Sequence, residues 1–129
     1  NGSVLAVEIL IDPVLLSKKR KATSFQPFST FPPAIKDLAL LANQDVPAEK
    51  VRSSLEAIAL EVADNKFFVD PVTIFDLFSG SGLPDGKKSV ACGMRFRAND
   101  RTLGEEEVNG AFEQIVKKIE QNTPYSLRT

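Results

Sequence analysis

The chain has 129 residues, 43% hydrophobic and 26% charged, with 16 basic against 17 acidic side chains and a net charge of -1. That length suits one globular domain with a remnant of a neighbour at one end, and the charge balance excludes a protein held to nucleic acid by bulk electrostatics, because nonspecific affinity grows with the number of phosphates neutralised. The absence of histidine and the single Cys92 remove His-assisted nucleophiles, the commonest zinc ligand and any internal disulfide, while no apolar run approaches the ~18 residues of a membrane span and no secretory leader pattern is visible, so a cytoplasmic protein is expected.

From the N-terminus, SVLAVEILID (residues 3–12) is an expected strand that Asp12-Pro13 ends. Between Ser17 and Pro33 neither helical nor strand period is visible. A basic run, Lys18-Lys19-Arg20-Lys21, leads into a Phe- and Pro-rich stretch that reads as a connector, with Phe25, Phe28 and Phe31 pinning it onto the domain it enters. AIKDLALLA then alternates as a strand, with Leu38, Leu40 and Ala42 on one face and Ile35, Asp37, Ala39 and Leu41 on the other. VPAEKVRSSLEAIALEVA follows as a helix, Pro47 in its first turn and Val51, Leu55, Ile58 and Val62 as its apolar stripe.

DPVTIFDLF is the next expected strand and SVACGMRFRA the one after it, joined by a glycine-rich loop that ends in lysines. A phosphate-cradling loop needs four residues between its first glycine and a Gly-Lys pair, with Ser or Thr directly after the lysine and a helix behind it. Here five residues separate Gly80 from Gly86, Lys88 intervenes before Ser89, and a strand pattern follows, so the segment is a hairpin loop. In the last helix Thr102 and Glu105 have capping-box spacing. Glu105, Glu106 and Glu107 sit at the positive end of its dipole, Val108, Phe112, Ile115 and Ile119 form the buried stripe, and Lys117 and Lys118 lie towards the other end. YSLR closes the chain as a short strand. The order strand, helix, strand, strand, helix, strand predicts an α+β ferredoxin-like βαββαβ split, a four-stranded antiparallel sheet with two helices on one face.

Such a sheet leaves its second face to solvent or to a partner, and strand parity says what that face displays. With Val90, Cys92, Met94 and Phe96 in the core, the open face carries Ser89, Ala91, Gly93, Arg95 and Arg97. Placing Phe75 and Leu77 in the core puts Val72, Ile74, Asp76 and Phe78 on the open side, joined there by Asp37 and Ala39. A ring, carboxylates, small residues and guanidiniums suit single-stranded RNA, whose splayed bases stack on aromatics and are read along their Watson-Crick edges; an aspartate can accept from N1 and N2 of guanine together. On pattern alone, Asp76 as a plain surface charge and Phe78 packed under the hairpin loop fit equally well.

FPPAIKDLAL, VPAEKV, LFSGSGLPDGKKSVACGMRFRANDRTLGEEEV and the terminal SLR, in that order and at these spacings, resemble the ferredoxin-fold anticodon-binding domain at the C-terminal end of the bacterial phenylalanyl-tRNA synthetase β subunit. The resemblance covers about Ser29 to Arg128. It implies a division into residues 1–28, the end of a preceding synthetase-like module and its connector, and residues 29–129, the anticodon-binding domain. It also implies a noncatalytic domain of an aminoacylating ligase that grips the anticodon stem-loop of the phenylalanine tRNA, with the α subunit as a further partner through the rest of the β subunit. No cofactor belongs to this fragment; ATP and Mg are implied only at the parent enzyme's distant active site. The family's acidic residue that contacts the wobble guanine matches Asp76, its stacking aromatic two positions later matches Phe78, and its serine at the start of the next strand matches Ser89. Where the family commonly has arginine this chain has Lys36, which loses bidentate geometry, and where it commonly has tyrosine this chain has Phe78, which keeps the stacking face. The candidate RNA-binding set is thus Asp76, Phe78, Ser89, Ala91, Arg95, Arg97, Asp37 and Lys36.

Other uses of the fold remain to be weighed. A small-molecule-binding or homodimerising module would use the open face to pair with another sheet, and Val72, Ile74 and Ala39 placed there would suit it. An acylphosphatase-like enzyme wants an arginine in the loop after the first strand, and NQDVPAEK has neither arginine nor glycine. Three consecutive helical glutamates point in different directions, so they read as helix-end electrostatics and no metal is expected.

Overall fold

Period-two alternation along residues 34–43 produces β1 (Ala34–Asn43) in the computed structural model of the chain, which describes residues 3–9 and 29–128. Leu38, Leu40 and Ala42 point into the core. After a tight turn, α1 (Ala48–Ala63) starts from Pro47, whose fixed φ of -58° suits a helix entrance although it stands at the N-cap, one residue earlier than expected. Val51, Leu55, Ile58, Ala59 and Ala63 are buried, and Val62 packs partly against them. The helix ends at Asp64 and Asn65, both in left-handed conformation (φ 43° and 60°), a role these two residue types accept at the lowest cost after glycine.

β2 (Phe68–Val69) and β3 (Thr73–Phe78) lie one after the other along the same edge of β4 (Lys87–Arg97), both antiparallel to it. The strand expected over residues 70–78 begins only at Thr73, and Phe68–Val69, outside that expectation, pair as a separate strand. Pro71 separates the two, because proline has no N–H for the ladder, and the chain is tied on either side: the Asp70 amide donates to the Arg95 carbonyl (2.9 Å) and the Val72 amide to Glu56 Oε2 (2.8 Å). Arg52 holds that glutamate in place, bonding Glu56 through Nη1 and Glu49 through Nε and Nη2. The hydrogen bonds of this pairing lower the Glu49 carboxyl and raise the Arg52 guanidinium from their ordinary values. The loop from β3 to β4 turns on Gly82 and Gly86, at φ of 99° and 72°, and is the hairpin expected.

α2 (Glu105–Asn122) buries Val108, Ala111, Ile115 and Ile119, with Phe112 partly covered. No side chain caps it. Leu103 plugs into the core, the N-cap passes to Gly104, and the capping box expected from Thr102 and Glu105 is not formed. The three glutamates occupy the first turn as expected. β5 (Ser126–Leu127) pairs antiparallel with β1 on its free side. The sheet order is therefore β5, β1, β4, then β2 and β3 together on the far edge, and both helices cover one face.

Within this layer Phe96, Met94, Cys92 and Val90 are fully buried, and the Phe67 ring meets Phe96 edge-on at 5.6 Å. Burial pushes the Cys92 thiol up to about 11, the behaviour of a core residue and not of a reactive thiolate. Residues 3–9 form no strand: they have no paired neighbour among the described residues, and Val4 and Leu5 are exposed. Residues 10–28, which include most of the expected connector with its basic run, Phe25 and Phe28, lie outside the described residues. Ser29 is tied to the domain, donating through Oγ to the Ala98 carbonyl at 2.7 Å.

Candidate nucleic-acid interface

Residues directly opposite one another in a ladder share a face, so the pairing of β4 with both neighbours reads out the open face in rows. The first row is Leu41, Ser89 and Phe78, the second Ala39, Ala91 and Asp76, the third Asp37, Gly93 and Thr73. Beyond them Arg95 lies opposite Ile35, and Arg97 opposite Phe68.

In the first row Phe78 is 38% exposed and rests with its ring tip against Gly80, where an added Cβ would come within 3.1 Å. The hairpin loop supports this ring, and solvent still reaches it. Ser89 is only 3% exposed, flanked by its row neighbours. Arg128, whose amide donates to the Ala39 carbonyl at 2.8 Å, sends its guanidinium back across the sheet to lie 5.4 Å from the Phe78 ring centroid. In the second row the exposed Asp76 carboxylate stands over Ala91 and Ala39, a floor too low to obstruct a planar ligand.

The third row corrects the sequence reading. β3 carries a bulge between Ile74 and Asp76, so Val72 and Ile74 turn to the core and Phe75 to the open side, where it is 61% exposed with its Cδ1 over Gly93. Asp76 and Phe78, beyond the bulge, keep the face expected for them. Leu77 pairs with the core residue Val90 but lies towards the sheet end and is half exposed. Of the apolar residues expected to support sheet-to-sheet dimerisation, Val72 and Ile74 turn inward and Ala39 stays on the open face, which also carries Leu41, Ile35 and Phe75.

Of the remaining expected residues, Arg95 is exposed and none of the ion pairs among the described residues includes it, Asp37 or Asp76. Arg97 binds Asp70 (Nε to Oδ2, 2.8 Å) in a corner cleft of about 570 Å³ that also exposes Phe68. Lys36 lies on the other side of the sheet: it pairs with the core residue Met94, and its Nζ stands 5.9 Å from the centroid of Phe112 in α2. The structure thus gathers Asp76, Phe78, Ser89, Ala91 and Asp37 on one surface, puts Arg95 and Arg97 at its far end, and leaves Lys36 behind it.

Phe75, Phe68 and Arg128 were not in the expected set. Arg128 had a usable signal, since a core-facing Leu127 in the closing strand forces its successor outward. Phe75 had none, because a bulge shifts parity by one without marking the sequence.

The arrangement offers stacking rings, acceptors and cations on an open sheet, and no three or more metal-ligating side chains stand together among the described residues. Among those residues no helix is long and apolar enough to cross a membrane. The family model of the ferredoxin-fold anticodon binding domain matches residues 29–128. The chain is 35% identical over 127 residues, 98% of its length, to the phenylalanine--tRNA ligase beta subunit of Synechococcus sp. (strain JA-3-3Ab), and 32% identical over 114 residues, 88% of its length, to that of Geobacillus kaustophilus. A third relative of the same name, from Syntrophotalea carbinolica, is 35% identical over 74% of the chain. The chain spans only 15%, 13% and 11% of the length of these relatives. With the sheet order, the helix placement and the sequence match in agreement over the same residues, the chain belongs to the ferredoxin-fold anticodon binding domain family.

Proposed function

We propose that this domain reads the anticodon stem-loop of the phenylalanine tRNA for a phenylalanyl-tRNA synthetase, as a noncatalytic part of its β subunit. Residues 1–28 then belong to the end of a preceding module and its connector, the α subunit is a partner through the rest of the β subunit, and ATP with Mg acts at a distant active site. The observation that carries the reading is the placement of Asp76 and Phe78. They are exposed on one face, two residues apart on the same strand, over the small side chains Ala91 and Ser89. A carboxylate there accepts from N1 and N2 of guanine at once, while the ring takes the face of a base; adenine, with an unprotonated N1, presents that carboxylate with an acceptor where guanine has a donor.

Little bulk attraction supplements these contacts at a net charge of -1, so the isolated chain is expected to bind weakly and most strongly at low salt. The test is an NMR titration with the phenylalanine anticodon stem-loop and with the same RNA carrying adenine at the wobble position. Shifts centred on Asp76, Phe78, Ser89, Ala91 and Arg95 that weaken with the adenine RNA and vanish in Asp76→Ala are the expected result. Equal shifts with both RNAs, or none at millimolar RNA, would remove the reading.

A further inference from the structure

β4 and the edge chain beside it do not keep step. Between the Val69–Phe96 pair and the Asp76–Ala91 pair the edge advances seven residues and β4 only five, so two edge residues are in excess. One is absorbed between Val69 and Thr73, where residues 70–72 belong to neither strand, and the other at Phe75, where β3 bulges. The same residues allow a second arrangement. With both extra residues placed between Val69 and Thr73, β3 would run straight back from Asp76, setting Phe75 opposite Cys92, Ile74 opposite Gly93 and Thr73 opposite Met94. Asp76, Leu77 and Phe78 keep their partners in both arrangements. Straight pairing would leave the ladder of β3 unbroken and send Phe75 and Leu77 to the core together, as the alternation of the sequence suggests, so neither ladder hydrogen bonding nor apolar alternation selects the bulge.

The observed arrangement is distinguished by the Val72 peptide, which α1 holds at both of its polar groups. Its N–H donates to Glu56 Oε2 at 2.8 Å and its carbonyl accepts from Arg52 Nη1 at 3.5 Å. Glu49 takes Nε and Nη2 of the same guanidinium, at 2.8 and 2.6 Å, which leaves Nη1 aimed at Glu56 and Val72. On the other flank the Asp70 amide is tied to the Arg95 carbonyl. We propose that Arg52 and Glu56 are positioning residues that lock the register of the edge: with Val72 gripped, the segment between Val69 and Thr73 has room for one extra residue, and the second is forced to Phe75. The lock decides that Phe75 faces outward and that Val72 and Ile74 face the helices. Released, Val72 and Ile74 would come out onto the open face with Ala39 and Ile35, an apolar surface suited to pairing with another sheet. Bonds to ionised partners suit the task, because they are stronger than the neutral bonds of the ladder they displace. The inference concerns register and stands whether or not the surface binds RNA.

NMR of the 129-residue chain reads the register directly, from nuclear Overhauser contacts across the ladder. The natural chain is expected to show Thr73 with Gly93 and Ile74 with Cys92. In Glu56→Ala and in Arg52→Met, contacts of Phe75 with Cys92 and of Ile74 with Gly93 replace them, while those of Asp76 with Ala91 and Leu77 with Val90 persist. The Val72 amide then exchanges with solvent about tenfold faster, as the loss of one hydrogen bond to a charged group predicts. Glu56→Gln keeps an acceptor for that amide and retains the natural contacts. Both Glu56→Ala and Arg52→Met folding with the Thr73–Gly93 and Ile74–Cys92 contacts intact would overturn the lock, whatever stability they had lost, since a merely structural ion pair alters stability and leaves register alone. Unfolding of both would overturn it too, by making the pair a condition of the fold instead of a choice between two pairings.

Discussion

The two faces of β4 are made from the same 11 residues, yet they are determined in different ways. On the helix side Val90, Cys92, Met94 and Phe96 are completely buried, and each is held by several neighbours from α1, α2 and the flanking strands. On the open side Ser89, Ala91, Gly93 and Arg95 touch a single layer, and what they present depends on which residue the adjoining strand happens to set beside them. Packing over-determines the first face, so the fold survives many sequences. Register alone determines the second, so one inserted residue in β3 rewrites the chemistry of the surface without disturbing the core.

The largest expected effect breaks the first face. Phe96→Ala empties a fully buried site and removes the edge-on contact with Phe67, which should cost about 3 to 5 kcal/mol in denaturant unfolding. The proposed RNA binding should then be lost with the fold. A gentler probe of the same face is alkaline pH. The Cys92 thiol lies at about 11 in the folded chain against an ordinary 9.0, because burial opposes its ionisation. As pH rises past 9 the unfolded chain sheds its thiol proton while the folded chain keeps it, so the stability this group contributes is complete below that point and is lost progressively between pH 9 and 11. The difference should be on the order of 2 kcal/mol, measured as the unfolding free energy of the natural chain relative to Cys92→Ala across that window. Equal pH profiles for the two would contradict the burial argument.

On the open face the signs separate. Phe78→Ala should lower RNA affinity by about 1 to 3 kcal/mol, the usual worth of a base stacked on a ring. Its effect on unfolding should stay near or below about 1 kcal/mol, since the ring is partly exposed and leans on a loop glycine and an arginine. A variant that lost stability and affinity in equal measure would show that Phe78 is a core residue in disguise, and the contrast between the faces would fail at its most informative position.

The same contrast explains what could be read from the residues alone. β1, β4 and both helices were legible because burial repeats along them: Leu38, Leu40 and Ala42, or Val90 to Phe96, state one face several times over. The split of the edge strand was written in Pro71, but its consequence depends on Glu56 and Arg52, which approach from a helix distant in sequence. The bulge at Phe75 carries no sequence mark. Capping spacing at Thr102 and Glu105 was overruled by Leu103, whose burial mattered more than a cap. The apolar alternation of residues 3–9 could not become a strand without a partner, since half of every strand's hydrogen bonding belongs to its neighbour. Asp76 and Phe78 lie on the face expected for them although the residues before them do not, because Leu77 does pair with the core residue Val90 and the bulge falls before Asp76.

The smallest expected effect concerns Lys36, which sharpens the comparison because it sits on β1 between two open-face residues, Ile35 and Asp37, and still belongs to the helix side. Its aliphatic stem runs along the packed layer and its ammonium stands 5.9 Å from the Phe112 ring centroid. At such a partly solvated site the cation–π contact is worth about 0.5 kcal/mol. Lys36→Met keeps the stem and the packing and removes only the charge. It should therefore shift unfolding by no more than that amount and leave affinity for the anticodon stem-loop unchanged at moderate salt. Arg95→Met, one strand away on the exposed side, removes the same charge from the proposed RNA surface, and should weaken binding and flatten its dependence on salt. Equal losses of affinity from the two would mean that the RNA wraps past the strand end to reach the helices, and that sheet parity does not set the limits of the interface.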